Sequence, residues 1–214
     1  MNIKVELHVH LDGSFDPAIL LSHIKSHPGK FDLLPQEEWL PWSQTNFSVR
    51  AAVEACKNEE QFRDLCTCRG KRSLHSMLKC FTVFTPIVRG DLDLIETLAF
   101  DFVKRQAQQN VIYSEVRYSP HFLAEGGDLG ETKAVDPHPV IDAVTRGLRK
   151  GEKEFGVIVN QILCCIAWKP NWAKDVVEIA HERKGDGPCE IVGVDIAAGE
   201  EHFDQVSIII SGSH

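Results

Sequence analysis

The stretch HVHLDG, residues 8–13, places two histidines one residue apart near the start of the chain. Side chains alternate between the two faces of a β-strand, so His8 and His10 are expected to point the same way. The flanking residues extend this alternation and predict a polar face of Lys4, Glu6, His8, His10 and Asp12, and an apolar face of Val5, Leu7, Val9 and Leu11. The segment is therefore predicted to be a strand that has ionisable groups on one side.

Three further stretches have the composition of strands, and helical patterns separate them. The predicted strands are IKVELHVHL (3–11), VIYSEVRYS (111–119), VIVNQILCCIAW (157–168) and IVGVDIA (191–197). The predicted helices cover 17 to about 27, one or two helices within 46–69, 73 to about 88, the stretch 91–109, 139 to about 155 and 171 to about 184. Segments 28–46 and 124–138 are rich in Pro, Gly and Asp and are predicted to be loops.

Strands that alternate with helices predict an α/β fold with a parallel sheet. An open doubly wound sheet that binds a nucleotide would need a glycine-rich turn after its first strand, and HLDGSFDP lacks that pattern. A (β/α)₈ barrel instead places its functional residues at the carboxyl ends of the strands. The second strand fits a barrel because its polar residues share one face: Tyr113, Glu115, Arg117 and Ser119.

Composition excludes several classes of partner. The chain has 214 residues and a formal net charge of −8, with scattered basic residues, so nucleic-acid binding is not expected. No apolar stretch approaches the roughly 18 residues of a membrane span, and a polar strand directly follows Met1, so neither membrane insertion nor a signal peptide is expected. The seven cysteines include no C-x-x-C pair. They predict reduced thiols in the cytoplasm rather than a disulfide or zinc–cysteine framework.

The motif His-x-His-x-Asp-Gly has a direct chemical interpretation. Neutral imidazoles are the commonest protein ligands of zinc, and two on one strand face lie about 7 Å apart along the chain. Asp12 lies one step further on the same predicted face, and Gly13 permits a tight turn. The competing interpretation is a pair of hydrogen-bonded histidines in a polar core.

The chain resembles adenosine deaminase, a zinc-dependent family of the amidohydrolase superfamily. The matching stretches are KVELHVHLDGS (4–14), SEVRYSPHFLA (114–124), the FGV, ILCC and PNW segments within 155–172, and VDIAAGE (194–200). They occur in family order and extend to about residue 203. HVHLDG is shared with related purine deaminases, whereas EVRYSPH and ILCC with PNW make the resemblance specific.

The resemblance implies one Zn²⁺ per chain and a barrel that hydrolyses adenosine and 2′-deoxyadenosine to inosine and 2′-deoxyinosine. His8 and His10 would be zinc ligands, His10 would also border the substrate, and Asp12 would bind the ribose 5′-hydroxyl. A backbone glycine that meets the purine corresponds to Ala198 without a gap or to Gly199 after a one-residue shift, and we choose Gly199. Leu78 and Phe81 match apolar pocket positions, although as sequence alone they also fit a core.

Part of the family pattern is missing from these residues. The His-Ala-Gly-Glu segment, with the third zinc histidine and the catalytic glutamate, has no counterpart, nor have a later histidine and an Asp-Asp pair. No catalytic residue is therefore assigned. The sequence predicts the N-terminal half of a (β/α)₈ TIM barrel of the metal-dependent hydrolase type over 1–203 and an unmatched tail over 204–214. The terminal His214 is not expected to bind zinc.

Three functional interpretations follow. The first is an adenosine deaminase family protein that is inactive in this form, with weak zinc binding and nucleoside ligands. The second is another His-x-His amidohydrolase, and the third is a non-enzymatic fragment. Half a barrel would leave sheet edges open, so self-association is expected. The resemblance is compatible with a cytoplasmic protein, and some family members also occur at the cell surface or outside cells.

Overall fold

The computed structural model describes residues 2–32, 34, 38–40, 45–70, 74–127, 135–167, 169–185 and 190–197. Its strands are β1 (Lys4–His10), β2 (Glu38–Leu40), β3 (Thr45–Phe47), β4 (Val111–Tyr118), β5 (Ile158–Ile166) and β6 (Ile191–Ala197). Its helices are α1 (Pro17–Ser26), α2 (Pro28–Asp32), α3 (Val49–Glu54), α4 (Glu59–Cys66), α5 (Leu74–Val88), α6 (Leu92–Gln108), α7 (Pro120–Leu123), α8 (His138–Phe155) and α9 (Ala173–Glu182). Short 3₁₀ turns cover Leu11–Gly13 and Pro170–Trp172.

The main sheet has four parallel strands in the order β1-β4-β5-β6. Helices occupy every connection between neighbouring strands, as right-handed βα units require. All four predicted strands are confirmed, each within two residues of the expected bounds. In the described residues β1 and β6 are the two edges of this sheet, and their carboxyl ends lie on the same side of the molecule.

Helices α6 and α8 pack closely against each other on one face of the sheet. Gly147 on α8 permits this contact, because an added Cβ would lie 2.3 Å from the Glu96 carbonyl oxygen on α6. The core beneath them includes Leu98, Phe102 and Leu148, all buried. Gly156 ends α8 with a left-handed φ of 72°, a conformation that glycine adopts without strain.

Strand β1 does not keep the predicted alternation. Glu6 pairs with Ser114, whereas Val9 pairs with Val116, so β1 has one more residue than β4 between these pairs. Such a bulge reverses which side chains face each side of the sheet. Glu6 therefore does not share a face with His10, which pairs with Arg117, and the expectation of one continuous polar face was wrong.

The predicted apolar face of β1 is also largely uncovered. Val5 is 56% exposed and Leu7 is 54% exposed, while Val9 packs against the core. On the opposite edge, β6 leaves Val194 and Ile196 exposed as well. Residue alternation identifies an apolar side of β1 but does not say whether another element packs against it.

The prediction that residues 28–46 form a loop was wrong, whereas the prediction of one or two helices within 46–69 is confirmed. Segment 28–46 includes α2 and most of the β2–β3 hairpin, because the chain re-enters a helix at Pro28, a residue tolerated in a first helical turn. The region 46–69 forms two helices, α3 and α4, each with a side-chain cap: Ser48 accepts from Ala51 N and Asn58 accepts from Gln61 N. The predicted tail at 204–214 lies outside the described residues.

Among the described residues, none of the helices combines the length and apolar character needed to cross a membrane.

Candidate functional site

The two histidines of the opening motif lie together at the carboxyl end of β1. The ring centroids of His8 and His10 are 5.8 Å apart and their planes are inclined by 44°. His8 is exposed and His10 is partly buried. Both rings are therefore near each other and accessible, as the His-x-His spacing predicted.

Asp12 is buried immediately beyond the strand. It lies in the 3₁₀ turn Leu11–Gly13 rather than on β1 itself, and only 5% of the residue is exposed. Its Oδ2 accepts a hydrogen bond from the Ser119 backbone N–H at 3.1 Å. Its Oδ1 lies 3.4 Å from His10 Nδ1, which is contact distance for an ion pair but not a well-formed hydrogen bond. The carboxylate is thus held by Ser119, between β4 and α7, and keeps one oxygen towards the histidine.

Phe81 on α5 borders this group. A Cβ added to Gly13 would lie 3.1 Å from Phe81 Cζ and 3.4 Å from His10 Cβ, so the aromatic ring lies against the motif. The ring also contacts Phe84, with centroids 4.9 Å apart. Leu78, three residues earlier on the same helix, is partly buried. The structure thus brings Phe81 beside the histidine motif, and its role as a wall of a nucleoside pocket stays a prediction.

An ion pair joins β4 and β6, the two strands that flank β5. Arg117 on β4 donates through Nη1 to Asp195 Oδ2 on β6 at 2.6 Å and through Nη2 to the Leu7 carbonyl at 2.9 Å. The Leu7 carbonyl belongs to the bulge of β1. Sequence reasoning placed Arg117 on the polar face but missed Asp195 as its partner. The residues both belong to motifs quoted above, but their pairing across β5 depends on register.

A buried histidine on α7 was also missed. His121 is 1% exposed, its Nε2 lies 2.7 Å from Asp175 Oδ2, and its ring stacks on Trp172 at 5.2 Å between centroids. Burial lowers the pKa of His121, against the opposing effect of Asp175. The neutral ring therefore donates from Nε2, since a carboxylate only accepts. SPHFLA was quoted as a family motif, but nothing in its pattern indicated this pairing.

The donor set fits zinc only in part. Two accessible imidazoles on one strand are suitable ligands, but a catalytic zinc site usually has three protein ligands or more. Within the described residues, no group of three or more His, Cys, Asp or Glu side chains is arranged to hold a metal ion. The predicted purine-contacting positions Ala198 and Gly199 lie outside the described residues, and so does His214.

Comparison with known proteins decides the family. The adenosine deaminase family model matches residues 3–208. This chain belongs to the adenosine deaminase family. Adenosine deaminase of Xenopus laevis is 35% identical over 202 residues, which are 92% of this chain and 49% of that protein. The Mus musculus enzyme is 32% identical over 202 residues, 92% of this chain and 50% of that protein.

The chain spans about half the length of the curated relatives that it matches. Solved structures agree on the fold. Arabidopsis ADAL complexed with GMP superimposes with a TM-score of 0.67 at 20% identity, over 98% of this chain and 53% of that chain. A COG1816 amidohydrolase from Burkholderia ambifaria with bound Zn gives a TM-score of 0.65 at 18% identity. The match covers 96% of this chain and 47% of that chain. The predicted α/β half-barrel of this deaminase family is therefore confirmed, whereas the boundary at 203 remains a prediction.

Proposed function

We propose that the described residues form the part of an adenosine deaminase site that binds the nucleoside and begins the zinc shell. The reaction of the complete site would be hydrolysis of adenosine and 2′-deoxyadenosine to inosine or 2′-deoxyinosine and ammonia. The observation that carries this proposal is the convergence of His8, His10, Asp12 and Phe81 at the carboxyl ends of β1 and β4.

Each of these groups has a distinct task in the proposal. Asp12 is fixed by the Ser119 N–H, so it can accept a hydrogen bond from a sugar hydroxyl without reorganising. Phe81 provides an apolar surface beside the motif for a purine. His8 and His10 would hold zinc, which when bound lowers the pKa of a water molecule and so supplies a hydroxide nucleophile. Leu78 and Gly199 remain proposed substrate contacts.

The 214-residue polypeptide by itself is proposed to bind without turnover. Its sequence has no His-Ala-Gly-Glu segment and no Asp-Asp pair, so it offers neither the third zinc histidine nor the family's proton-transferring glutamate. General acid–base catalysis typically contributes about 10²–10⁴-fold. The alternative of another His-x-His amidohydrolase, which would be favoured by a bridging lysine on a mid-barrel strand, is less well supported because β4, β5 and β6 contain no lysine.

A calorimetric titration tests the binding proposal. Adenosine and cytidine are titrated into the purified chain, and adenosine is expected to bind more tightly because only the purine covers Phe81 fully. Asp12→Ala is expected to weaken adenosine binding, whereas Asp93→Ala, at an exposed position on α6, serves as the matched control. Equal affinity for the two nucleosides, or equal effects of the two substitutions, would argue against the proposal.

Self-association is a second proposal, and the exposed edges favour it. In the described residues β1 and β6 have no strand beyond them, and both are parallel to the rest of the sheet. Val5 and Leu7 on one edge and Val194 and Ile196 on the other are exposed. The β6 edge of one copy can therefore pair with the β1 edge of another and bury these side chains.

The cysteines support a reducing compartment such as the cytoplasm. Among the described residues, no disulfide joins Cys56, Cys66, Cys68, Cys80, Cys164 or Cys165. Burial raises the pKa of Cys66 to about 12 and that of Cys165 to about 11, so these thiols are protonated and unreactive near neutral pH.

A further inference from the structure

The bulge of β1 contains one of the two motif histidines. Between the register positions of Glu6 and Val9, β1 has two residues, Leu7 and His8, where β4 has only Glu115. A bulge interrupts the ladder of backbone hydrogen bonds and re-aims the side chains that it contains. The direction of the His8 ring therefore depends on the conformation of the bulge.

His10 lies on the regular part of the same strand, where it pairs in register with Arg117 of β4. The ring centroids of His8 and His10 are 5.8 Å apart, although only His10 lies outside the bulge. The approach of the two rings is thus set by the bulge as well as by the His-x-His spacing.

Side chains bind the backbone groups of the bulge. Arg117 Nη2 donates to the Leu7 carbonyl at 2.9 Å, and the His8 backbone N–H lies 3.4 Å from Glu6 Oε1. The second contact is long and exposed, so it constrains the backbone weakly. The first comes from a charged and buried guanidinium, and such bonds are roughly twice as strong as neutral ones. Arg117 is therefore the stronger of the two constraints on the bulge.

The other arm of the guanidinium is anchored at a distance from β1. Nη1 of Arg117 donates to Asp195 Oδ2 at 2.6 Å, and Asp195 lies on β6, which is not a neighbour of β1 in the described sheet. A guanidinium presents its donors in a rigid planar fork. Fixing one arm on Asp195 therefore fixes the point at which the other arm holds the Leu7 carbonyl.

We propose that Arg117 is a positioning residue for the histidine pair: by holding the Leu7 carbonyl, it keeps the bulge in the conformation that sets the His8 ring beside His10. The use of this pair as zinc ligands rests on the function proposed above. Arg117 itself touches neither the metal nor the nucleoside in this proposal, and acts only through the backbone of β1.

A double substitution separates this role from a contribution to stability. Arg117→Met with Asp195→Leu removes the donor to Leu7 but leaves no unpaired buried charge, and such apolar replacement of both partners is often neutral for stability. Arg117→Lys is a second variant, because it keeps a positive charge beside Asp195 but lacks the fork that also reaches Leu7. Leu148→Ala is the control, since it destabilises the fold through a cavity on α8 rather than at β1.

Three measurements are made on each variant and on the wild-type chain. Urea denaturation reports stability. Nuclear Overhauser effects between the two imidazole rings in the zinc-free chain, assigned with His8→Ala and His10→Ala, report whether the rings are in contact. Competition with a chromophoric chelator reports the affinity for zinc.

The wild-type chain should show the contact between the rings of His8 and His10. Both Arg117 variants should lose it and bind zinc about tenfold more weakly, as is typical when a group that orients a ligand is removed, while Leu148→Ala should keep both properties. Unchanged ring contact in the Arg117 variants, an equal loss in Leu148→Ala, or no ring contact in the wild-type chain would overturn the proposal. Ring contact that depends on Arg117 in a chain that binds no zinc would support the positioning role and overturn the proposed zinc-binding function alone.

Discussion

Arg117 and Asp195 form an ion pair that crosses β5 and joins β4 to β6, with Arg117 Nη1 2.6 Å from Asp195 Oδ2. The side chain of Arg117 is only 10% exposed and that of Asp195 is 31% exposed. The same guanidinium holds the Leu7 carbonyl in the bulge of β1. One side chain thus links the two edge strands at the level of the histidine motif.

Removing this guanidinium should destabilise the fold. Arg117→Met leaves Asp195 and the Leu7 carbonyl without their donor, and we expect a loss of about 2–4 kcal/mol, since breaking a mostly buried pair typically costs about 3–5 kcal/mol. Urea denaturation measures the effect. The control is Glu96→Gln, which breaks the more exposed pair with Arg146 and should cost about 0–1 kcal/mol. Equal midpoints for the two variants would argue against a structural role for Arg117.

Zinc binding should be weak and should require both histidines of the motif. His8→Ala and His10→Ala are each expected to abolish the binding that equilibrium dialysis detects, because one imidazole is a poor site. His23→Ala on α1 removes a histidine elsewhere and should leave zinc binding unchanged. Stoichiometric zinc that survives dialysis of the His8→Ala, His10→Ala double variant against a mild chelator would show that other ligands bind it.

Acidification should destabilise the chain through His121. Its pKa is lowered in the folded state by burial, so below the ordinary histidine pKa of about 6.5 the unfolded state binds more protons than the folded state. The contribution of neutral His121 to the free energy of unfolding is therefore fully present above that value. It decreases as the pH falls towards the folded pKa, by at most about 1.4 kcal/mol per pH unit for one group.

Urea midpoints at several pH values between 7.5 and 5 measure this dependence. His121→Gln should reduce the slope of the urea midpoint against pH. The part of the slope due to His23 should persist, because burial also lowers the pKa of His23. His181→Gln, at an exposed position on α9, is the control. An unchanged slope in His121→Gln would contradict the linkage.

Charging one sheet edge should prevent self-association. Val194→Lys places a charge among the exposed apolar residues of β6 and should shift the purified chain towards monomer in size-exclusion chromatography with light scattering. Val177→Lys on α9 is the matched control, because Val177 is 52% exposed and Val194 is 47% exposed. A wild-type chain that is already a sharp monomer peak would rule out association through these edges.

The sequence predicted the strands of the main sheet and the histidine motif, because both depend on local patterns. Alternation in VIYSEVRYS correctly placed Arg117 on the polar face, and the predicted helix start at residue 17 is confirmed, with Asp16 as the cap that accepts from Ala18 N. Predicting that His8 and His10 lie close together required only the geometry of a strand and the chemistry of imidazole.

The remaining features depend on contacts between distant residues. The bulge at Leu7 is set by pairing with β4, so alternation within β1 alone could not reveal that Glu6 lies on the other face. The bonds from Arg117 to Asp195 and from Ser119 to Asp12 join positions 78 and 107 residues apart. Exposure of Val5 and Val194 depends on what packs outside the sheet, and sequence pattern carries no information about that.

Equilibrium dialysis of labelled adenosine against an excess of the chain, with zinc present, tests the central claim most directly. The two compartments are then analysed by chromatography. We predict that the protein compartment retains the label as adenosine and that Asp12→Ala reduces this retention. Absence of retention would contradict the proposed nucleoside-binding half-site. Recovery of the label as inosine, lost in the His8→Ala, His10→Ala variant, would contradict the claim that these 214 residues lack the catalytic groups.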